Sequence, residues 1–316
     1  MKLKKFIGNK NYSVGAKNFS PLRNQNIMQN ILITGSNGQL GNEIRAISEN
    51  YPNFQYFFTD VDELDITDKE QIRRFVAEND IHFVINCAAY TAVDKAEDDE
   101  KMAYLINAEA VKNIAEIAVE RKVKVIHIST DYVFDGTNHV PYTENMPVSP
   151  TSIYGKSKLV GEEVLMQTAS QSIIIRTSWL YSAFGNNFVK TMIRLGRERD
   201  SLGVIFDQVG TPTHAADLAE AIMKILNSEK WISGTYHFSN EGACSWYDFA
   251  KSIHRLAGVD CKVNPIETKD YPVRTPRPFY SVLNKAKIKS TYELEIPHWE
   301  ESLRKCIADL VCSERS

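Results

Sequence analysis

The sequence lacks the features that mark membrane proteins, disulfide-rich domains and zinc-binding domains. No apolar run approaches the ~20 residues that a membrane-spanning helix needs, and no signal-peptide pattern is present. The five cysteines are odd in number and scattered, without a Cys-x-x-Cys pair. They therefore indicate neither a disulfide framework nor a zinc site. These absences predict a cytoplasmic protein that does not bind a membrane.

Excess positive charge is also absent. The chain has 37 Lys and Arg against 40 Asp and Glu, a net charge of -3. This balance excludes a global basic surface for nucleic acid, so an anionic ligand must be held by local groups. Residues 1–27 differ, with frequent Lys and Asn and no acidic residue. We interpret them as a disordered or non-native extension before Met28, with an organelle targeting peptide as the alternative.

From Asn30 onward, short β-branched or aromatic runs alternate with longer segments of helical period. This alternation predicts an α/β fold, a doubly wound parallel Rossmann sheet with helices on both faces. Residues 28–180 form the predicted Rossmann domain. Residues 181–316, with clusters of Gly, Asn and Pro, are predicted to form a smaller α/β region that mainly binds substrate, with some segments returning to the sheet. The strands are predicted at 31–34, 54–59, 82–86, 123–129, 172–178 and 235–238.

Three glycines, Gly35, Gly38 and Gly41, lie between the first predicted strand and the first predicted helix. Residues without a Cβ permit a tight turn and the close approach of a pyrophosphate, and the helix N-terminus offers free N–H groups to phosphates. The spacing G-x-x-G-x-x-G differs from the G-x-G-x-x-G dinucleotide fingerprint. It resembles the extended branch of the short-chain dehydrogenase/reductase superfamily, which implies a bound nicotinamide cofactor.

The second strand ends at Asp60, whose carboxylate can accept hydrogen bonds from an adenosine ribose and would repel a 2′-phosphate. That feature alone favours NADH, but related reductases often accept both cofactors, so NADPH and NADH both stay open. Asp65 and Ile66 resemble contacts to the edge and the face of the adenine. The other residues assigned to the cofactor site are Gln39, Leu40, Ala88, Ala89, Tyr90 and Thr91.

Tyr154 and Lys158 are four residues apart on a predicted helix, so they share one face. An adjacent ammonium favours the phenolate, and we therefore expect Lys158 to lower the pKa of Tyr154. Lys158 is also expected to bind the nicotinamide ribose, and Tyr154 to deliver a proton to the carbonyl oxygen. Thr130, at the end of a predicted strand, is the expected carbonyl-orienting hydroxyl, with Ser129 as the adjacent candidate.

Several longer stretches narrow the resemblance to the dTDP-4-dehydrorhamnose reductase family. The most specific are NCAAYTAVDKAE at 86–97, STDYVFDG at 129–136, YGKSKLVGE at 154–162 and RTSWLY at 176–181. Sugar 4,6-dehydratases carry a glutamate where Tyr132 stands, so the acid needed for water elimination is missing. The resemblance implies reduction of the 4-keto group of dTDP-4-dehydro-β-L-rhamnose. A reductase of another 4-keto sugar nucleotide, and a non-catalytic subunit resembling methionine adenosyltransferase β, are the alternatives.

The resemblance also implies how a nucleotide-sugar substrate is held. Thr130, Asp131, Tyr132 and Trp179 are the expected contacts to the sugar; Trp179 can equally be a packing residue. Arg274 and Arg277, in a proline-stiffened loop, are the candidates for the substrate diphosphate, and solvated loop arginines are the alternative. No other partner is implied beyond a homodimer.

A metal is not assigned. Some relatives hold Mg²⁺ between glutamates at a dimer contact, and Glu43 could be one such ligand, but a lone surface glutamate is the simpler interpretation. His82, His127 and His237 lie in apolar strands without metal-ligand spacing. We interpret them as core residues.

Overall fold

The computed structural model describes residues 28–272 and 274–313. The prediction for residues 1–27 lies outside them. Short turns of 3-10 helix occur at Ser48–Asn50, Asp131–Val133 and Thr268–Asp270, and a π-helical segment at Leu105–Glu109. The strands are β1 Gln29–Thr34, β2 Phe54–Thr59, β3 Ile81–Asn86, β4 Lys124–Thr130, β5 Ile173–Thr177, β6 Leu180–Tyr181, β7 Ser201–Ile205, β8 Val209–Gly210, β9 Thr213–His214, β10 Gly234–His237, β11 Cys244–Ser245 and β12 Lys262–Ile266. The helices are α1 Gln39–Ile47, α2 Lys69–Glu78, α3 Val93–Ala96, α4 Glu100–Tyr104, α5 Ala110–Arg121, α6 Ile153–Thr168, α7 Phe188–Glu198, α8 Ala215–Asn227, α9 Trp246–Ala257, α10 Ala286–Tyr292 and α11 Trp299–Ser313.

Six strands form one parallel sheet in the order β10-β5-β4-β3-β1-β2. The chain moves from β1 outward to β2 and then crosses back to β3 on the other side of β1. The strand order therefore reverses between β1 and β3, the point where doubly wound sheets bind ligands. This confirms the predicted Rossmann-like α/β fold, and each predicted strand agrees with an observed one to within two residues.

Helices cover both faces of this sheet, which explains why its strands read as continuous apolar runs. One core joins Ile31, Ile33 and Ile175 to residues of α1, α8 and α10. A second core, on the other face, joins Leu32 and Val84 to residues of α2, α5 and α6. The side chains of β1 alternate between the two cores, as the two-residue repeat of a strand requires.

The C-terminal region contributes to both parts of the molecule. β10 completes the large sheet by pairing with β5, and α8 packs on α1 within the first core. The remaining segments form a third core from α7, α9 and α11, with the parallel pair β7 and β12 beside it. β10 and α8 are therefore the segments of this region that lie with the large sheet and its first core. No helix in 28–272 or 274–313 is long and apolar enough to cross a membrane.

Candidate active site

A cleft of about 1020 Å³ lies along the carboxyl ends of the large sheet, at the reversal between β1 and β3. Its volume is at the upper end of the ~300–1,000 Å³ range of small-molecule sites, so it has room for a dinucleotide. Sixteen predicted site residues line it: Gly35, Gly38, Gln39, Leu40, Asp60, Asp65, Ile66, Ala88, Ala89, Thr91, Thr130, Asp131, Tyr132, Tyr154, Lys158 and Trp179.

The glycine loop connects β1 to α1 in close contact with the segment after β3. Gly35 has a φ of +64°, and a Cβ there would lie 2.7 Å from the backbone of Ala88. A Cβ on Gly41 would lie 2.4 Å from Ser36 Cα, so Gly41 permits the packing of α1 and does not itself line the cleft. Gly38 is the N-cap residue of α1 and has no side chain that could accept a hydrogen bond from the first turn of the helix. The loop and the helix N-terminus therefore fit a pyrophosphate.

Two carboxylates lie at the β2 side of the cleft. Asp60 Oδ2 accepts a hydrogen bond from Asn37 N at 3.0 Å, and its Oδ1 accepts from Val61 N at 2.9 Å. Asp60 thereby links the glycine loop to the end of β2, at the place where an adenosine ribose is expected. Asp65 Oδ1 accepts from both the backbone and the hydroxyl of Thr67.

Tyr154 and Lys158 lie on the same face of α6, which Ser152 caps by accepting from Gly155 N. Lys158 is 1% exposed, and its Nζ donates to Ile128 O at 2.7 Å. Burial lowers the pKa of Lys158 to about 8, against the opposing effects of Glu162 and Cys87. Thr130 ends β4 and is also buried. Helix α6 and strand β4 thus place the three predicted catalytic side chains in one cleft.

The structure contradicts the expectation that Lys158 lowers the pKa of Tyr154. Burial raises that pKa to about 12, a hydrogen bond with Thr130 opposes the rise, and the charge of Asp131 adds to it. Burial is the largest effect, and Lys158 Nζ donates instead to the backbone of β4. Tyr154 is therefore a neutral phenol near pH 7, the form that can donate a proton.

Asp131 and Tyr132 follow Thr130 in a turn of 3-10 helix at the cleft. Burial raises the pKa of Asp131 to about 7, although hydrogen bonds from Ser281 and Thr130 oppose the rise. The ring of Tyr132 lies 5.4 Å from that of Tyr154 in an edge-to-face arrangement. The last residue of β4 and the two residues after it therefore all contribute to the lining.

Trp179 forms an aromatic wall with Trp246, a residue that the sequence analysis did not single out. Their rings are stacked, with centroids 3.4 Å apart and planes inclined by 9°. Trp179 has a φ of +48°, which is unusual for a bulky residue. A Cβ on Gly210 would lie 2.6 Å from the Trp179 ring, so the tryptophan is confined from that side too. Both tryptophans line the cleft.

Arg274 and Arg277 lie outside the residues that line the cleft. Arg274 pairs with Asp98, and Arg277 Nη2 donates to Asp94 Oδ2 at 2.7 Å. Burial raises the pKa of Tyr132, and the charge of Arg277 partly opposes that rise. The loop is thus pinned beside the cleft, and binding of the diphosphate stays a prediction.

Tyr90 is likewise not part of the lining, although its backbone is held in place beside it. Asn107 accepts from Tyr90 N at 2.9 Å and donates to Tyr90 O at 3.1 Å. Asn107 also donates to Ser157 Oγ on α6 at 3.0 Å. It lies in the π-helical segment, a feature frequent at functional sites that no sequence period reveals.

Glu43, the residue considered for Mg²⁺, is 7% exposed and accepts from Ser182 Oγ at 2.6 Å. It is a buried residue, so the interpretation as a lone surface glutamate is wrong. Over the part of the chain that the structure describes, no group of three or more His, Cys, Asp or Glu side chains is arranged to hold a metal ion.

Known proteins resemble this chain over almost the whole described length. The family model for the RmlD substrate binding domain matches residues 28–312. The chain is 39% identical to a dTDP-4-dehydrorhamnose reductase of Aggregatibacter actinomycetemcomitans, covering 88% of this chain and 98% of that protein. It is 37% identical to a probable dTDP-4,6-dihydroxy-2-methyloxan-3-one 4-ketoreductase of Streptomyces antibioticus, covering 90% and 96%.

A solved structure agrees in fold as well. The dTDP-4-dehydrorhamnose reductase of Bacillus anthracis, crystallised with NADP, is 40% identical and superposes with a TM-score of 0.84, covering 89% of this chain and 99% of that one. Sequence and structure thus agree, and the chain belongs to the dTDP-4-dehydrorhamnose reductase family.

Proposed function

We propose that this protein reduces the 4-keto group of dTDP-4-dehydro-β-L-rhamnose to dTDP-β-L-rhamnose, the last step of dTDP-rhamnose synthesis, with NADPH or NADH. The observation that carries the proposal is the single cleft in which Thr130, Tyr154 and Lys158 face the same space as the glycine loop. A phenol, a hydroxyl and an ammonium beside a dinucleotide site suit the reduction of a carbonyl.

In this mechanism the reduced nicotinamide, when bound, supplies the hydride. Thr130 orients the keto oxygen through its hydroxyl, and Tyr154 gives the proton that turns that oxygen into an alcohol. The raised pKa of Tyr154 keeps that proton in place until charge develops on the oxygen. Lys158, which lines the same cleft, would hold the ribose of the cofactor.

The wall of Trp179 and Trp246 supports a sugar substrate, because flat aromatic surfaces pack against the apolar face of a sugar ring. Asp131 and Tyr132 are the proposed polar contacts. Arg277, which pairs with Asp94 beside the cleft, is the proposed partner of the diphosphate, with Arg274 next to it.

The decisive experiment supplies dTDP-glucose with the upstream 4,6-dehydratase and 3,5-epimerase and follows the absorbance of NADPH and NADH. Identification of dTDP-rhamnose as the product would support the proposal. Omission of the epimerase is the control, and turnover without it, or a different product, would contradict the substrate assignment.

A reductase of another 4-keto sugar nucleotide is the second candidate, because the Streptomyces antibioticus relative carries such a name at 37% identity. The same assay decides, since that candidate predicts little oxidation of NADPH with the rhamnose precursor. A regulatory subunit like methionine adenosyltransferase β is a further alternative. Failure to oxidise NADPH with any 4-keto sugar, together with a stable complex with the synthetase, would favour it.

We further propose a cytoplasmic location, the use of NADPH or NADH, and a homodimer. A cytoplasmic location is supported by the cysteines, which are scattered through the sequence without a Cys-x-x-Cys pair, as suits a reducing compartment. NADPH is supported by the relative crystallised with NADP, and NADH by the position of Asp60. Parallel titrations with NADPH and with NADH show which cofactor binds more tightly. Light scattering in solution tests whether the protein is a homodimer.

A further inference from the structure

His127, which the apolar pattern of β4 assigns to the core, lies against Lys158. It is fully buried, and its Nε2 is 3.3 Å from Lys158 Nζ. The same Nζ donates to the backbone oxygen of Ile128, the next residue of β4. Two successive residues of one strand therefore contact the ammonium of Lys158 in the interior of the protein.

The far side of the His127 ring is held as well. The side-chain amide of Asn86 lies 3.0 Å from His127 Nδ1 and 2.7 Å from Thr34 Oγ1. All these side chains are buried. The contacts cross three neighbouring strands, β1, β3 and β4, and end at α6. A buried polar network with its groups paired is rigid, so it can fix the position of Lys158.

The protonation states of His127 and Lys158 decide which of the two donates the hydrogen bond. An ammonium can only donate, so Nε2 of His127 accepts from Lys158, and the neutral ring carries its proton on Nδ1. Nδ1 therefore donates to the amide oxygen of Asn86, and the amide NH2 of Asn86 donates to Thr34 Oγ1. Burial and the charge of Lys158 hold the pKa of His127 well below its usual value, which keeps it neutral. The other groups that act on Lys158 are the Cys87 thiol and Glu162, whose carboxylate is paired with Arg176 at 2.6 Å.

We propose that His127 is a positioning residue, which keeps Lys158 charged and directed at the cofactor by accepting its hydrogen bond. The inference rests on the proposed function, because it takes Lys158 to be the residue that meets the nicotinamide ribose. Without the acceptor, the buried ammonium would lose a charge-assisted bond and would give up its proton at lower pH.

The test measures NADPH affinity by the fluorescence of the bound nicotinamide from pH 6 to pH 10, with no sugar present. His127→Phe removes the acceptor, and His127→Gln returns an amide near the position of Nε2. His82→Phe is the matched control, a histidine of β3 whose Nδ1 accepts from Asn30 N at the other end of the sheet. We expect the affinity for NADPH to weaken at a pH about one unit lower in His127→Phe than in the wild type, which is about fivefold weaker binding at pH 8 and up to about tenfold at pH 9 to 10.

His127→Gln should bind NADPH up to nearly the same pH as the wild type does. His82→Phe should show the same pH dependence as the wild type. A pH dependence of His127→Phe equal to that of the wild type would overturn the inference, as would a glutamine no better than phenylalanine. If His127→Phe does not fold, as judged by thermal unfolding, Asn86→Ala tests the same network and should shift the range in the same direction. A wrong sugar assignment leaves this test intact, whereas a wild type that binds neither NADPH nor NADH refutes the proposed function itself.

Discussion

Tyr154 has the most direct test at the residue scale. Its hydroxyl is the proposed proton donor, so Tyr154→Phe should lower kcat by about 10²- to 10⁴-fold while the Kd for NADPH changes by less than about twofold. Lys158→Ala should impair both quantities, because the lysine is the proposed contact to the nicotinamide ribose. Steady-state kinetics and fluorescence titration give the two numbers. Near-normal turnover in Tyr154→Phe would eliminate the proton-donor role.

Asp131 gives the second residue-scale prediction, a dependence of stability on pH. Its pKa is about 7 in the folded protein, against ~3.9 in an unfolded chain. The folded state thus holds a proton that the unfolded state has lost, and this contribution to the free energy of unfolding falls as pH rises from about 4 to 7. Asp131→Asn removes the effect. Its Tm relative to the wild type should rise by about 2 to 6 °C between pH 5 and pH 8, and a constant difference would contradict this.

At the scale of the elements, the contact between α6 and the π-helical segment positions the catalytic helix. A Cβ on Gly161 would lie 2.1 Å from Asn107 O. Glycine to alanine in a helix normally stabilises by up to ~1 kcal/mol, but here we expect Gly161→Ala to destabilise by about 1 to 3 kcal/mol and to lower kcat. Thermal unfolding and kinetics measure both. Glu163→Ala, at an exposed position of the same helix, is the control.

The N-terminus of α9 gives a second element-scale prediction, because it supplies Trp246 to the aromatic wall. Trp246→Ala should raise KM for the sugar nucleotide by about 3- to 10-fold, with Trp246→Phe in between. The Kd for NADPH should change little, which separates loss of the wall from general unfolding. An unchanged KM would show that the stack does not contribute to sugar binding.

At the scale of the whole molecule, we expect the two predicted regions to fold as one unit. β10 pairs with β5, and Leu218, Ile222 and Tyr236 lie in the same core as Ile31. A fragment of residues 28–180 would expose that core, so we expect it to aggregate or to unfold without a cooperative transition. Circular dichroism during heating tests this against the full chain. A sharp transition in the fragment would show that the first region folds independently.

The sequence by itself determined the sheet, the glycine turn and the Tyr154–Lys158 pair. These features are local, because strand runs, turn glycines and helical spacing depend on neighbours in the chain. Two predictions about individual side chains were wrong, because they depended on how the elements pack and not on neighbours in the chain. The pKa of Tyr154 depends on how deeply its ring is buried, and the exposure of Glu43 depends on what packs over α1.

Only the tertiary structure decided the contacts between residues distant in sequence. Trp246 meets Trp179 across 67 positions of the chain, and no spacing rule connects them. The apolar pattern of β4 indicates that His127 is a core residue. Only the packing of α6 on β4 brings it next to Lys158. Local patterns record which residues can form an element, whereas burial, charge pairing and side-chain direction arise when elements pack together.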